Sequence, residues 1–321
     1  MLTIQKPIRT PVIMRSRLML ETVSELVAAN EWRDKQVMIL MRPQGDDQWR
    51  TRFFASDAPN SVDAVAKGEA DIAICNPGGV LGMAVRGRGP YKKPIPLRSI
   101  MVIPQFDQLG FAVTAKTGLK TLGDLKRTRY PLKVSLRGQP DHSVHLITNQ
   151  VLSAYGISLD DIVSWGGKVV YTEGMPYGPD RLGAVKRGEL DGVWDEALPL
   201  YAPQAIEMGM RFLAVDEPQL KSLEDDGIMR AAITNEEYPG LGETVWTVDF
   251  SGWPVFCLES APDEMIYNFC AGLDARRDRI PWYGEGPMPL DKLCKDSKEG
   301  ALYIPLHRAA ERYWRERGYL S

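Results

Sequence analysis

Asp195 and Glu196 stand side by side at the end of a short apolar run, and adjacent acids in that position can do three kinds of chemistry. They can accept hydrogen bonds from an amine or hydroxyl of a bound solute, latch onto Arg15 or Arg17 across a cleft, or act as a general acid and base. Trp194 precedes them and offers a flat face for stacking, although a tryptophan entering a sheet more often packs in a core. A second polar cluster, Arg137-Gly138-Gln139-Pro140-Asp141-His142-Ser143, lies between an apolar run and an amphipathic one. Arg137 is the first candidate for holding an anion, and Gln139 and Asp141 are further polar contacts on the same loop. His142 either donates to an anion, caps the helix that follows, or moves a proton. His145, one turn along, belongs to the helix surface or the core.

The other candidates also sit where a strand gives way to a helix. Arg15 and Arg17 flank Ser16, so two guanidiniums beside a helix cap can clamp a carboxylate, or can pair with Glu21 one turn on. Ser56, Asp57 and Asn60 form a second such loop, in which Asp57 or Ser61 serves equally well as a cap. Asn76-Pro77-Gly78-Gly79 places an amide and two glycines at a strand end, which suits close approach by a ligand and an ordinary turn alike.

Much is excluded. The sequence has no G-x-S-x-G elbow, no phosphate-binding GxxxxGK[ST] loop, no H-E-x-x-H and no G-x-G-x-x-G after a first strand, so neither an enzyme nor a cofactor is indicated. Four dispersed cysteines and only three histidines argue against a zinc site or a disulfide framework, and the cysteines read instead as buried apolar residues. The 39 basic residues nearly cancel the 42 acidic ones, leaving a formal charge of -3 and no broad field for nucleic acid or anionic lipid. No run approaches the ~18–20 apolar residues of a membrane helix, so no direct membrane insertion is expected. Charged residues interrupt the N-terminal MLTIQKPIRTPVIMRSRLML, and it carries no secretory leader pattern, which leaves a trimmed chain or a cytoplasmic one.

The elements that must position these residues follow an α/β alternation over 321 residues, a length that favours two cores. Strands are expected at 12–14, 36–41, 71–75, 98–104, 109–114, 132–136 and 211–215. Helices are expected from Ser16, over 61–67, 121–126, 143–155 and 309–317, with helices supplying the rest of the C-terminal third. One unit recurs: Val65-Ala66-Lys67-Gly68-Glu69-Ala70-Asp71-Ile72-Ala73-Ile74 is echoed by Val185-Lys186-Arg187-Gly188-Glu189-Leu190-Asp191-Gly192-Val193-Trp194. Each copy reads as helix, glycine stop, acidic turn and buried strand, which suggests two lobes on one plan. The first lobe then takes residues 1–106 and 216–321, the second 107–215.

Lys67-Gly68-Glu69-Ala70-Asp71, Lys120-Thr121-Leu122-Gly123-Asp124-Leu125-Lys126, Arg187-Gly188-Glu189-Leu190-Asp191 and the closing segment from Ile304 to Gly318 occur in the order found in a known family. The chain resembles the TAXI class of solute receptors that serve TRAP-type transporters, within the type II periplasmic-binding-protein superfamily. The resemblance implies a two-lobed α/β fold with a ligand cleft between the lobes. It implies capture of a small organic anion, TRAP membrane subunits as partners and a periplasmic location. Three loops depart from the family pattern, at Met14-Arg15-Ser16-Arg17, Ala55 to Ser61 and Arg137 to Ser143, so its glutamate-like and dicarboxylate ligands do not transfer with the scaffold. The rival readings are a cytoplasmic enzyme acting on a small acid, with Asp195, Glu196 and His142 as its groups, and a ligand sensor on the same scaffold.

Overall fold

The computed structural model describes residues 18–24, 37–41, 51–55, 59–280, 282 and 284–321. Arg15, Ser16, Arg17, Ser56 and Asp57, together with the strand expected at 12–14, lie outside the described residues. Along the chain come helix α1 (18–24), strands β1 (Val37–Met41) and β2 (Thr51–Ala55), helix α2 (Asn60–Ala66), strand β3 (Ile72–Ile74), helix α3 (Gly79–Arg86) and strand β4 (Leu97–Ile103). After the first crossing come β5 (Gly110–Thr114), α4 (Leu122–Thr128), β6 (Lys133–Arg137), α5 (Ser143–Ala154), α6 (Leu159–Ser164) and β7 (Lys168–Thr172). There follow α7 (Leu182–Lys186), β8 (Gly192–Asp195), α8 (Leu198–Glu207), β9 (Met210–Phe212) and α9 (Glu217–Asp226). The remainder holds β10 (Arg230–Ile233), β11 (Val245–Val248), β12 (Trp253–Leu258), α10 (Asp263–Asp274), α11 (Leu290–Leu293) and α12 (Arg308–Glu316).

The expected two-lobed α/β fold is present. One sheet runs β1-β2-β3-β12-β4 and the other β7-β6-β8-β5-β9, with β10 and β11 forming a separate hairpin. Both sheets share a device. β5 and β12, the strands that follow the two crossings between lobes, each insert antiparallel between two strands of their sheet. The crossing segments themselves run alongside each other: Leu109 N–H donates to Val248 O, Phe250 N–H to Asp107 O and Gly252 N–H to Gln105 O. Paired crossings of this kind form a short two-strand hinge.

The recurrent unit has a physical explanation. Gly68 and Gly188 take left-handed φ values of 69° and 77° that end α2 and α7. The acid three residues later then braces the parallel neighbour strand. Asp71 Oδ2 accepts from Arg52 N–H at 2.7 Å, and Asp191 Oδ2 accepts from Lys133 N–H at 2.9 Å. The same motif therefore does the same work in both lobes, fixing the register of β2 against β3 and of β6 against β8. The capped helix expected from Thr121 is α4, closed by a reciprocal Thr121–Asp124 capping box. All four cysteines are buried and free, as expected of apolar residues.

Two expectations fail. Leu18 and Leu20 of α1 are exposed, so that helix shows no buried stripe over its described residues. The last third of the chain is not all helical: it contains β10, β11 and β12. The chain rejoins the first sheet only at β12. Pro254 hides that strand from a reading by propensity, since proline discourages an interior strand. It is tolerated here beside a register shift between Val255 and Phe256.

Candidate functional site

In open α/β sheets ligands lie beyond the carboxyl ends of the parallel strands, where helix N-termini present free N–H groups. Parallel strands β6 and β8 end on Arg137 and Asp195, which places the two side by side although they are 58 residues apart in sequence. Arg137 Nε and Nη2 donate to Asp195 Oδ1 at 3.1 and 2.9 Å, and Nη2 also pairs with Glu196 Oε1. A second guanidinium, Arg181, approaches from below just ahead of α7. Its side chain has no exposed surface, and it pairs with Asp195 Oδ2 while donating through Nε to Ser135 Oγ at 3.0 Å. Each oxygen of Asp195 thus faces one arginine.

Asp107, from the first crossing, completes the cluster. Its Oδ2 accepts from Ala197 N–H at 2.8 Å and its Oδ1 from Leu198 N–H at 2.9 Å, satisfying the first turn of α8 from outside that helix. Ala197 holds a left-handed φ of 63° that non-glycine residues rarely adopt, and these two bonds keep it there. The Asp107 and Glu196 carboxyl groups lie near enough to influence each other's protonation. Burial, then the Glu196 charge, pushes the Asp107 carboxyl well above the usual range, and burial raises Glu196 against the opposing pull of Arg137.

His142 is the N-cap of α5. Its Nδ1 accepts from Val144 N–H at 3.1 Å, so the neutral ring carries its proton on Nε2, on the side of Arg137 and of Glu196 Oε1 3.8 Å away. Burial first, then the charges of Arg137 and His145, pushes this imidazole down to about 2. Of the roles open to it from sequence, capping is the one the geometry shows. The shift has a consequence for stability. The folded ring resists a proton that the unfolded ring takes near ~6.5, so its contribution is whole above that pH and declines as pH falls. Between about pH 7 and about pH 5 this amounts to ~2 kcal/mol. His142→Asn keeps a capping oxygen and removes the titration. Its urea-unfolding free energy is expected to lose that much less over the same interval than the wild type, a difference unaffected by Asp107, Glu196, His145 and His307.

Other candidates take different places. Trp194 is 1% exposed and packs edge-on against Phe111, with ring centroids 5.2 Å apart, so it is a core residue and offers no face for stacking. The Asn76 amide donates to Phe250 O and Gly252 O at 3.0 and 2.9 Å, so its hydrogens tie β3 to the second crossing instead of meeting a ligand. The space above Gly78 is filled by the Tyr303 ring, not left for a ligand. Ser61 does not cap α2, whose N-cap is Pro59 without a side-chain bond. Gln139 Nε2 donates to Asp141 Oδ1 at 3.2 Å, while Gln139 O meets the His145 ring at 2.9 Å. Asp195 and Glu196 are held by Arg137 and Arg181; Arg15 and Arg17, the latch partners expected for them, lie outside the described residues.

A cavity of about 380 Å³ opens beside this cluster between the lobes. The first lobe contributes Asn60, Asp63 and Tyr91, and the second Asp141, His142 and His145 from the start of α5. Its volume falls in the range of small-molecule sites. A larger hollow of about 590 Å³, near Lys116, Lys186 and Glu207, lies at the opposite edge of the second sheet, where β8 begins. Strand-end chemistry selects the interlobe cavity. Among the described residues no group of histidine, cysteine and acidic side chains could hold a metal ion, and no helix is long and apolar enough to cross a membrane.

A sequence profile of the NMT1-like family matches residues 39–318. The chain belongs to that family. Among solved structures, this NMT1-like chain is similar to the alkanesulfonate-binding protein of Xanthomonas axonopodis pv. citri bound to MOPS, at 17% identity and a TM-score of 0.29. That match covers 68% of this chain and 62% of the receptor, less than two thirds of its length. The lactococcal glycine-betaine-binding protein in its closed, liganded form gives 13% identity over 82% of each chain, with a TM-score of 0.37. The glycine betaine and L-proline-binding protein of Borrelia burgdorferi gives 14% identity over 61% of this chain and 59% of that one, with a TM-score of 0.35. At such identities no ligand carries over.

Sequence reasoning found Arg137, His142, Asp195 and Glu196, and it missed Arg181 and Asp107. The signals were faint. Arg181 sits after Gly178-Pro179-Asp180, a turn that reads as surface, and Asp107 lies 90 residues from the helix it caps.

Proposed function

We propose that this NMT1-like protein is a solute-binding protein that captures a small organic carboxylate in the cleft between its lobes and delivers it to a membrane transporter. The observation that carries the reading is the interlobe cavity, bounded by α2 on one side and the start of α5 on the other, with Arg137 behind it through His142. Contacts from both lobes let a ligand favour the closed arrangement, because a ligand shifts such an equilibrium only by its difference in affinity for the two forms. Arg137 supplies the charge, the α5 N-terminus supplies N–H groups, and Asn60, Gln139 and Asp141 set orientation. A TRAP-type partner and a periplasmic location are proposed on the resemblance to TAXI receptors. The matching Lys67–Asp71 and Arg187–Asp191 segments support the scaffold more than the choice of transporter, since their acids brace strands.

The enzyme reading has less support. His142 is tied up as a neutral cap and Asp195 is bracketed by two arginines, so neither is poised to move a proton. A thermal-shift screen of mono- and dicarboxylates, amino acids and aromatic acids tests the proposal. A binder at about 100 times its dissociation constant is expected to add ~2.7 kcal/mol of stability. Stabilisation by none of them, or turnover of the one that binds, would refute it.

A further inference from the structure

Helix α3 of the first lobe is docked along its length against α5 and α9. Just ahead of it, Asn76 O accepts a hydrogen bond from Ser143 Oγ at the start of α5. At its middle, Gly82 meets Gly227, the left-handed C-cap of α9, so closely that a Cβ on either residue would run into the backbone of the other. Arg86 folds back beside this contact and donates through Nη1 to Gly82 O at 3.0 Å. Just past the helix, a Cβ on Gly89 would lie 3.5 Å from the Gln150 side chain of α5, and Arg88 Nε pairs with Asp226 Oδ1 at 3.5 Å. Helix α9 is in turn tied to the second sheet's side of the molecule. Its N-cap Asp216 accepts through Oδ2 from Gly123 N–H at 3.1 Å and from Tyr155 OH at 2.7 Å, and Val215 N–H donates to Trp246 O of β11.

The seam is apolar as well as close. Val80, Leu81 and Met83 of α3 have no exposed surface, and they share one continuous core with Ile147 and Val151 of α5 and Leu223 of α9. Swinging the lobes apart about the two crossings would part the glycines and carry part of this core into water, a change that the hydrophobic effect opposes. We propose that the ligand-free protein rests with its lobes closed, held by the glycine seam between α3 and α9, so that a solute enters a cavity that is already formed. A ligand then adds to a closure that the chain favours by itself, whichever solute fills the cavity. The two glycines are the positioning residues of this device, because any side chain at either one would hold the helices apart.

Two measurements on ligand-free protein test this. The first is cross-linking of the double variant Arg88→Cys, Asp226→Cys with a short bis-maleimide. Both side chains reach solvent and the four native cysteines are buried, so the reagent selects the introduced pair. Near-complete bridging without any solute is expected, and single adducts alone would mean that the lobes stand apart and would overturn the proposal. The second is small-angle X-ray scattering of the wild type and of Gly82→Ala. The added methyl meets a backbone carbonyl that has no side-chain freedom to yield, so the variant should show a larger radius of gyration with an unchanged far-UV circular dichroism spectrum. Equal radii for the two proteins would remove the seam as the cause of closure. Should Gly82→Ala not fold, the cross-linking result stands alone and decides whether the resting lobes are closed. Neither readout depends on carboxylate capture, which can fail or hold independently.

Discussion

Replacing Arg181 by methionine is expected to destabilise the protein by roughly 3–5 kcal/mol, the cost of leaving a buried partner charge without its mate. Arg181 is fully buried, and each of its nitrogens has an acceptor: Nε meets Ser135 Oγ, Nη1 meets Asp195 and Gly174 O, and Nη2 meets Trp194 O. Methionine fills much of the aliphatic volume, so the loss isolates charge and hydrogen bonds from packing. Asp195 has no exposed surface and would keep Arg137 and the Glu196 N–H, both on Oδ1. The double variant with Asp195→Asn removes the stranded charge and should recover part of the loss. Urea-unfolding midpoints of the four proteins supply the cycle. Simple additivity would mean that Arg181 acts by packing alone.

The second large effect falls on binding. Arg137→Gln is expected to weaken capture of a carboxylate by about 100-fold or more, within the 2–5 kcal/mol typical of truncating one side of a buried charge pair. Its effect on folding should be smaller than that of Arg181→Met. The Arg137 side chain keeps 16% of its surface exposed, whereas Arg181 keeps none, and Glu196 can take a proton when its cation is removed. Titration calorimetry alongside urea unfolding separates the two quantities. Equal affinity in the variant and the wild type would remove Arg137 from the binding surface.

The parts of the molecule legible in sequence are those governed by local rules. Gly68 and Gly188 end helices because they can take positive φ, and the acids that follow them repeat at fixed spacing. The strand-end rule brought Arg137, His142, Asp195 and Glu196 together without knowledge of any contact, because parallel neighbours present their last residues at one edge. What escaped depends on partners far along the chain. Asp107 caps α8 across 90 residues. β12 enters a sheet whose other strands lie more than 140 residues earlier, and it carries a proline. Side-chain direction was the other blind spot: Trp194 and Asn76 are at strand ends as expected, yet both turn inward to the core or the crossing segments.

The central claim is that the cavity between α2 and α5 receives the solute. Hydrogen-exchange mass spectrometry, with the acid that gives the largest thermal shift present at saturation, addresses it most directly. Slower exchange is expected at residues 59–66 of one lobe and at 138–146 and 195–199 of the other, the segments around the cavity and the buried cluster. Protection confined to 114–116 and 204–210, around the hollow at the opposite edge of the second sheet, would contradict the account.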